Sequence, residues 1–178
     1  MTWRETVDSF YSEDIEAFYE QGLDRVLDES LAPRGPSTLF DMAGELGATK
    51  GARVLDLGSR DGRHLVELRE RFECEVIGVE PAPANLGRMK RAYPSYSLRV
   101  ARGVGEALPF ATGVFDLVWV RDVLVHFESL DPAFAEIGLG VTLLDALADL
   151  DHQRLQRTEV LHHGGFEFGA VLGGVGPG

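Results

Sequence analysis

The apolar run Val54-Leu55-Asp56-Leu57 stops at a turn with two glycines, Gly58-Ser59-Arg60-Asp61-Gly62, and a helix-like segment follows at once. Few features restrict a fold so strongly. A short strand that ends beside a carboxylate and a glycine turn, then a helix, is how a parallel α/β sheet builds a ligand crevice at the carboxyl end of its first strand. The chain repeats this alternation. Strands are predicted at about 53–57, 75–79, 96–100 and 115–120. Helices are predicted from Ser37, as an N-cap, to Leu46, from Gly62 to Phe72, from Ala84 to Ala92 and from Ala133 to Ile137. Leu65, Leu68 and Phe72 would face inward from one helix, and Leu86 and Met89 from the next. Such alternation predicts a parallel sheet covered on both faces.

Two further blocks carry chemistry. Val76-Ile77-Gly78-Val79 ends at Glu80-Pro81, and a carboxylate at that strand end can accept hydrogen bonds from both hydroxyls of a ribose. Downstream, Gly103-Val104-Gly105-Glu106-Ala107-Leu108-Pro109-Phe110 leads into the fourth strand, which closes on Arg121-Asp122-Val123-Leu124-Val125-His126.

The order and spacing of these blocks resemble the class I S-adenosylmethionine-dependent methyltransferases. The likeness covers residues 35–136 and is clearest from Ala52 to Phe134. It implies a Rossmann-like parallel sheet with flanking helices, S-adenosylmethionine as cofactor, and methyl transfer to a small-molecule acceptor. By this resemblance Asp56 lies near the methionyl ammonium, and Gly58 and Ser59 offer backbone groups to the methionyl part. Gly62 keeps the outer glycine place. Glu80, followed by Pro81, takes the ribose. Gly105 and Glu106 read the adenine through backbone or through the Glu106 carboxylate, because Val104 stands where many relatives have an aspartate. Leu108-Pro109-Phe110 forms the wall beneath the base. Arg121, counted with the cofactor-binding residues, and Asp122 face the sulfonium and the acceptor. No catalytic residue is assigned. His126 is either a base or a turn-fixing side chain, and in-line positioning alone can supply much of the rate. Arg60 stands at the middle glycine place, which predicts a shifted turn or a side chain swung toward solvent.

After Glu136 the chain departs from the family, which continues with a Pro-Gly-Gly turn and three more strands. Gly138-Leu139-Gly140 should break the helix, Val141 to Leu155 should form another, Phe166 to Leu172 a strand, and Gly173 onward a frayed tail. Either the sheet is a compact variant, or residues 137–178 are not the family's continuation, as after a frame change or truncation; the second is favoured. The sheet would then be incomplete at its C-terminal strands. A bare fourth strand would expose a free edge and apolar surface, which predicts a homodimer or poor solubility. A cofactor-binding pseudo-enzyme is the alternative function. A nicotinamide dehydrogenase is disfavoured, because the turn lacks Gly-x-Gly-x-x-Gly.

The 178 residues suit one domain. Its parts are a helical lid or cap over 1–34, a cofactor-binding core over 35–136 and the atypical segment 137–178. Aromatic and aliphatic residues from Phe10 to Leu27 recur near the helical period in the lid. A net charge of -12 argues against a nucleic-acid partner, which needs a basic face. The lone Cys74 permits no internal disulfide. The chain has no basic stretch followed by an apolar one at its start, and no run near the ~18 apolar residues of a membrane span. These features predict a cytoplasmic protein with no membrane partner. Adjacent His162 and His163 make a poor chelate, so no metal is expected.

Overall fold

The computed structural model describes residues 36–140 and 169–173, with positions 5, 9, 21–23 and 26 before them. The lid expected over 1–34 lies mostly outside the described residues, as do the helix expected from Val141 to Leu155 and the pair His162-His163. Five strands form one sheet in the order β3-β2-β1-β4-β5. They are β1 (Arg53–Leu57), β2 (Glu75–Val79), β3 (Arg99–Ala101), β4 (Leu117–Arg121) and β5 (Gly169–Gly173). The first four run parallel, with Asp56 opposite Gly78 of β2 on one side and opposite Trp119 of β4 on the other. Helices α1 (Pro36–Glu45), α2 (Arg63–Phe72), α3 (Pro83–Ala92) and α4 (Leu130–Gly140) flank them, with one 3-10 turn at Leu124–His126.

Side chains along a strand point alternately to opposite faces. Val54, Val76, Leu117 and Trp119 therefore face α1 and α2, where they meet Phe40, Ala43, Leu65 and Leu68. Leu55, Leu57, Val79, Val118 and Val120 face the other way, toward Phe115 and Ile137 of α4. By the same alternation Asp56 and Arg121 belong to the first face, one position beyond its apolar core. The strand ends thus deliver two charged groups to one rim of the sheet.

The structure revises several expectations. The third strand is three residues long. Tyr96 sits in a turn closed by its N–H to the Tyr93 carbonyl, because Pro94 and Ser95 bend the chain before β3 can pair. The fourth strand begins at Leu117, since the Asp116 N–H is drawn to the Arg53 carbonyl and its carboxylate to the Arg53 N–H. α1 starts at Pro36, so Ser37 lies inside the first turn and is no cap. α4 runs through Gly138-Leu139-Gly140 unbroken. A helical glycine costs only about 1 kcal/mol relative to alanine, less than the burial of Ile137 and Ala133 returns. On α3 it is Asn85, Arg88 and Met89 that are buried, while Leu86 is only half-buried.

The largest correction concerns the fourth strand. Its edge is not free: β5 pairs antiparallel along all of β4, from Leu117 opposite Gly173 to Arg121 opposite Gly169. Gly173 is strand, not tail. With the edge occupied, the argument for a homodimer loses its basis.

Candidate functional site

The strand ends of β1, β2 and β4 open onto one cleft, lined by Gly58, Ser59, Arg60 and Asp61 after β1, by His64 of α2, by Glu80 and Pro81 after β2, and by Arg121 at the tip of β4 with Asp122, Val123 and His126 beyond it. The turn after β1 is fastened to β2. The N–H groups of Gly58 and Ser59 both donate to the Val79 carbonyl, at 2.9 and 3.0 Å. The Ser59 hydroxyl donates to the Asp56 carbonyl at 2.8 Å. Gly58 has φ 80, and a Cβ there would lie 2.6 Å from Val123. Gly62 has φ 84 and would meet Met89 at 2.7 Å. Both glycines are demanded by close approach as well as by left-handed backbone.

Arg60 resolves the question its sequence raised. The Arg60 side chain is not swung out to solvent: it is 22% exposed and lines the cleft. Arg60 itself takes the left-handed conformation, φ 47, which a glycine would adopt without strain. Its guanidinium lies beside the Asp61 carboxylate. The Arg60 backbone N–H donates to Glu80 Oε2 at 2.9 Å.

Glu80 is buried and thoroughly held. Oε1 accepts from the Ala82 N–H at 2.8 Å and from Asn85 Nδ2 at 3.1 Å. Burial pushes its carboxyl above the usual range, and the hydrogen bonds from Ala82, Asn85 and Arg60 pull it back. A carboxylate has about four acceptor positions, and three are filled from within the chain. What remains is on Oε2, the oxygen that also receives Arg60.

Asp56 is 1% exposed, and its Oδ2 has no hydrogen-bond partner. Burial pushes its pKa up to about 7; Glu80 and Asp61 add to the rise, while the Ser59 hydrogen bond and Arg60 oppose it. A buried carboxyl oxygen without a donor suits an incoming cation. Together, the orphaned oxygen and the Glu80 acceptor fit a ligand that carries both an ammonium and a sugar hydroxyl.

At the third lip, Arg121 Nη1 lies 3.1 Å from His64 Nε2, and Arg121 Nε lies 3.3 Å from Asp122 Oδ2. His64 sits at the start of α2, against the edge of the stacked Phe40 and Trp119 rings. Burial and the charges of Arg121, Arg63 and Arg60 hold its pKa well below the ordinary value. It is therefore neutral, and its Nε2 accepts from Arg121. Burial lowers His126 too, with Asp122 opposing. Asp122 has φ 54, a second non-glycine residue in left-handed backbone.

Of the residues the sequence singled out, Gly58, Ser59, Glu80, Pro81 and Arg121 line one cleft, and Asp56 and Gly62 lie in the strand tip and turn that shape it. Gly105 and Glu106 do not join them. The Glu106 carboxylate accepts from the Glu128 N–H at 2.7 Å, just ahead of α4, so its Oε1 is engaged there. A Cβ at Gly105 would strike the Phe127 ring at 2.6 Å, which makes that glycine a packing requirement. Leu108 and Phe110 pack into the core around Phe115. Sequence reasoning missed His64, Asn85 and Arg88. The signal for the last two was present: they are three apart on a helix just after Glu80, so they share a face. His64 carried no such mark.

Comparison with known proteins agrees with this geometry. The methyltransferase domain family matches residues 55–138. The glycine/sarcosine/dimethylglycine N-methyltransferase of Actinopolyspora halophila is 27% identical over 132 residues, covering 67% of this chain and 23% of that protein. The ubiquinone biosynthesis O-methyltransferase of Azorhizobium caulinodans is 33% identical over 92 residues, covering 51% and 33%. The chain thus spans no more than a third of either relative. The crystal structure of geranyl diphosphate C-methyltransferase from Streptomyces coelicolor A3(2) superposes with a TM-score of 0.53 at 19% identity, over 62% of this chain and 41% of that one. Residues 55–138 thus match the methyltransferase domain family, on the Rossmann-like sheet that solved methyltransferases share.

Proposed function

We propose that the cleft binds S-adenosylmethionine and that the domain transfers its methyl group to a small-molecule acceptor. The observation that carries this reading is the pairing of Asp56 with Glu80 at neighbouring strand ends. One offers a buried oxygen lacking a donor, the other an acceptor held rigidly by Arg60, Ala82 and Asn85. In this reading Asp56 receives the methionyl ammonium. The Gly58-Ser59 backbone, in a turn that Gly62 closes, admits the methionyl chain. Glu80 Oε2 takes a ribose hydroxyl beside Pro81. The backbone at Gly105 and Glu106 is assigned to the adenine, and Arg121 to the methionyl carboxylate side.

The bound cofactor supplies an electrophilic methyl on a sulfonium. The chain's part is to hold the acceptor in line and keep water away. Asp122, Val123 and His126 border that space. The three relatives methylate nitrogen, oxygen and carbon according to their names. Their common ground with this chain is therefore the cofactor half. The acceptor's identity is then assigned to the segments outside it, residues 1–34 and 137–178. The acidic balance favours a small molecule over a polyanion, and the buried Cys74 thiol fits a reducing cytoplasm.

Calorimetric titration with S-adenosylmethionine tests the reading. The unmodified protein should bind, and Glu80→Ala should weaken binding by at least tenfold, the loss expected for a charged hydrogen bond. Absence of binding, or equal affinity in the variant, rejects the assignment.

A further inference from the structure

We propose that Asn85 and Arg88 of α3 are positioning residues that fix the Glu80 carboxylate for its sugar hydroxyl. The proposal rests on Glu80 being the cofactor's ribose ligand. Three buried polar side chains stand in a row behind the cleft: Glu80 is 3% exposed, Asn85 0% and Arg88 9%. Arg88 Nη1 donates to Asn85 Oδ1 at 2.5 Å. An amide can present either its oxygen or its nitrogen, and a guanidinium only donates. Arg88 therefore decides the amide's orientation. It takes the oxygen, so Nδ2 must point at Glu80, where it donates to Oε1 at 3.1 Å.

The consequence falls on the other oxygen. With Oε1 filled by Asn85 and Ala82, the carboxylate cannot rotate without breaking two hydrogen bonds in a buried place. Oε2 is thereby held facing the turn, between the Arg60 N–H and the cleft. Neither Asn85 nor Arg88 lines the cleft. Their influence passes through Glu80, as outer residues orient the ligands of a metal site.

The arrangement also sets the charge of Glu80. Of the charged groups around it, Arg60 from the turn favours its ionised form and Asp56 from β1 interacts with it as a like charge, while Arg88 from α3 reaches it through Asn85 and Arg102 beyond β3 binds the adjacent Pro81 carbonyl. Loss of the Asn85 donor removes one of the influences that keep the carboxyl ionised. Affinity should then begin to fall at a higher pH than in the unmodified protein. Asp56 is common to every variant, so the difference between profiles isolates Glu80.

The test is the affinity of the whole chain for S-adenosylhomocysteine between pH 5.5 and 8.5, with circular dichroism as the check on folding. Asn85→Ala and Arg88→Met should each bind on the order of tenfold more weakly at neutral pH, with the fall in affinity displaced to higher pH. Arg88→Lys, which keeps a donor, should restore most of both. Wild-type affinity and an unshifted profile in whichever of Asn85→Ala and Arg88→Met is folded overturn the proposal and leave the cofactor reading intact. Failure of the unmodified protein to bind overturns both.

Discussion

The residue with the sharpest consequence is Asp56. Its folded pKa of about 7 lies far above the ordinary 3.8, mainly through burial. A proton held more tightly in the folded state stabilises it fully below the unfolded value. That contribution is lost as pH rises from about 4 through 7. Asp56→Asn should therefore raise the melting temperature at pH 8 by several degrees while changing little at pH 4, read by calorimetry. The same variant should lose affinity for the cofactor, because an amide cannot balance an ammonium. A pH-independent difference in melting temperature would show that Asp56 is ionised throughout. The places of Asp56, Gly58 and Glu80 at the strand ends could be read from sequence, because a carboxylate or glycine that closes an apolar run marks where the strand stops. His64 was not legible, because its role depends on Arg121, 57 residues away and brought close only by folding. The Glu106 carboxylate shows the converse: its partner, the Glu128 N–H, comes from the loop before α4 and could not be read from its near neighbours.

At the scale of elements, the strands were legible wherever apolar residues ran without interruption, and so were the helices between them. The errors fell where local pattern and pairing disagree. Tyr96, Leu98 and Val100 alternate like a strand, yet β2 offers partners only from Ile77 to Val79. α1 shows what alternation accomplishes. It is attached to the sheet through Phe40, whose ring stacks on that of Trp119 at 4.6 Å. Both side chains are almost wholly buried. Trp119→Ala should cost about 3–5 kcal/mol in urea denaturation, through lost contact area and the cavity left between α1 and β4. The His64 ring also borders Trp119, so Arg121 should lose its neighbour's fixed position. A cost below about 1 kcal/mol would mean that α1 is not docked through this pair.

For the molecule as a whole, β5 is the element that the sequence placed nearly right in position but not in consequence. Phe166 to Leu172 reads as a strand, but nothing in it says where it pairs. β5 covers the edge of β4, the most continuously buried strand of the sheet. A chain ended before Gly169 would leave that edge open to another copy. It should associate at micromolar concentration, seen as a rise in scattering mass over the full chain. An unassociated, folded product would show that β4 tolerates solvent. Among the described residues no helix is long and apolar enough to cross a membrane.

Arg60 and Asp122 share a feature that reaches past stability. They stand on facing lips of the cleft, and both keep the backbone twist that glycine adopts freely and other residues resist. Sheer durability would be better met by smaller occupants at these two places. Charged residues are kept here at a conformational cost, so a guest entering between them meets a cation on one side and an anion on the other.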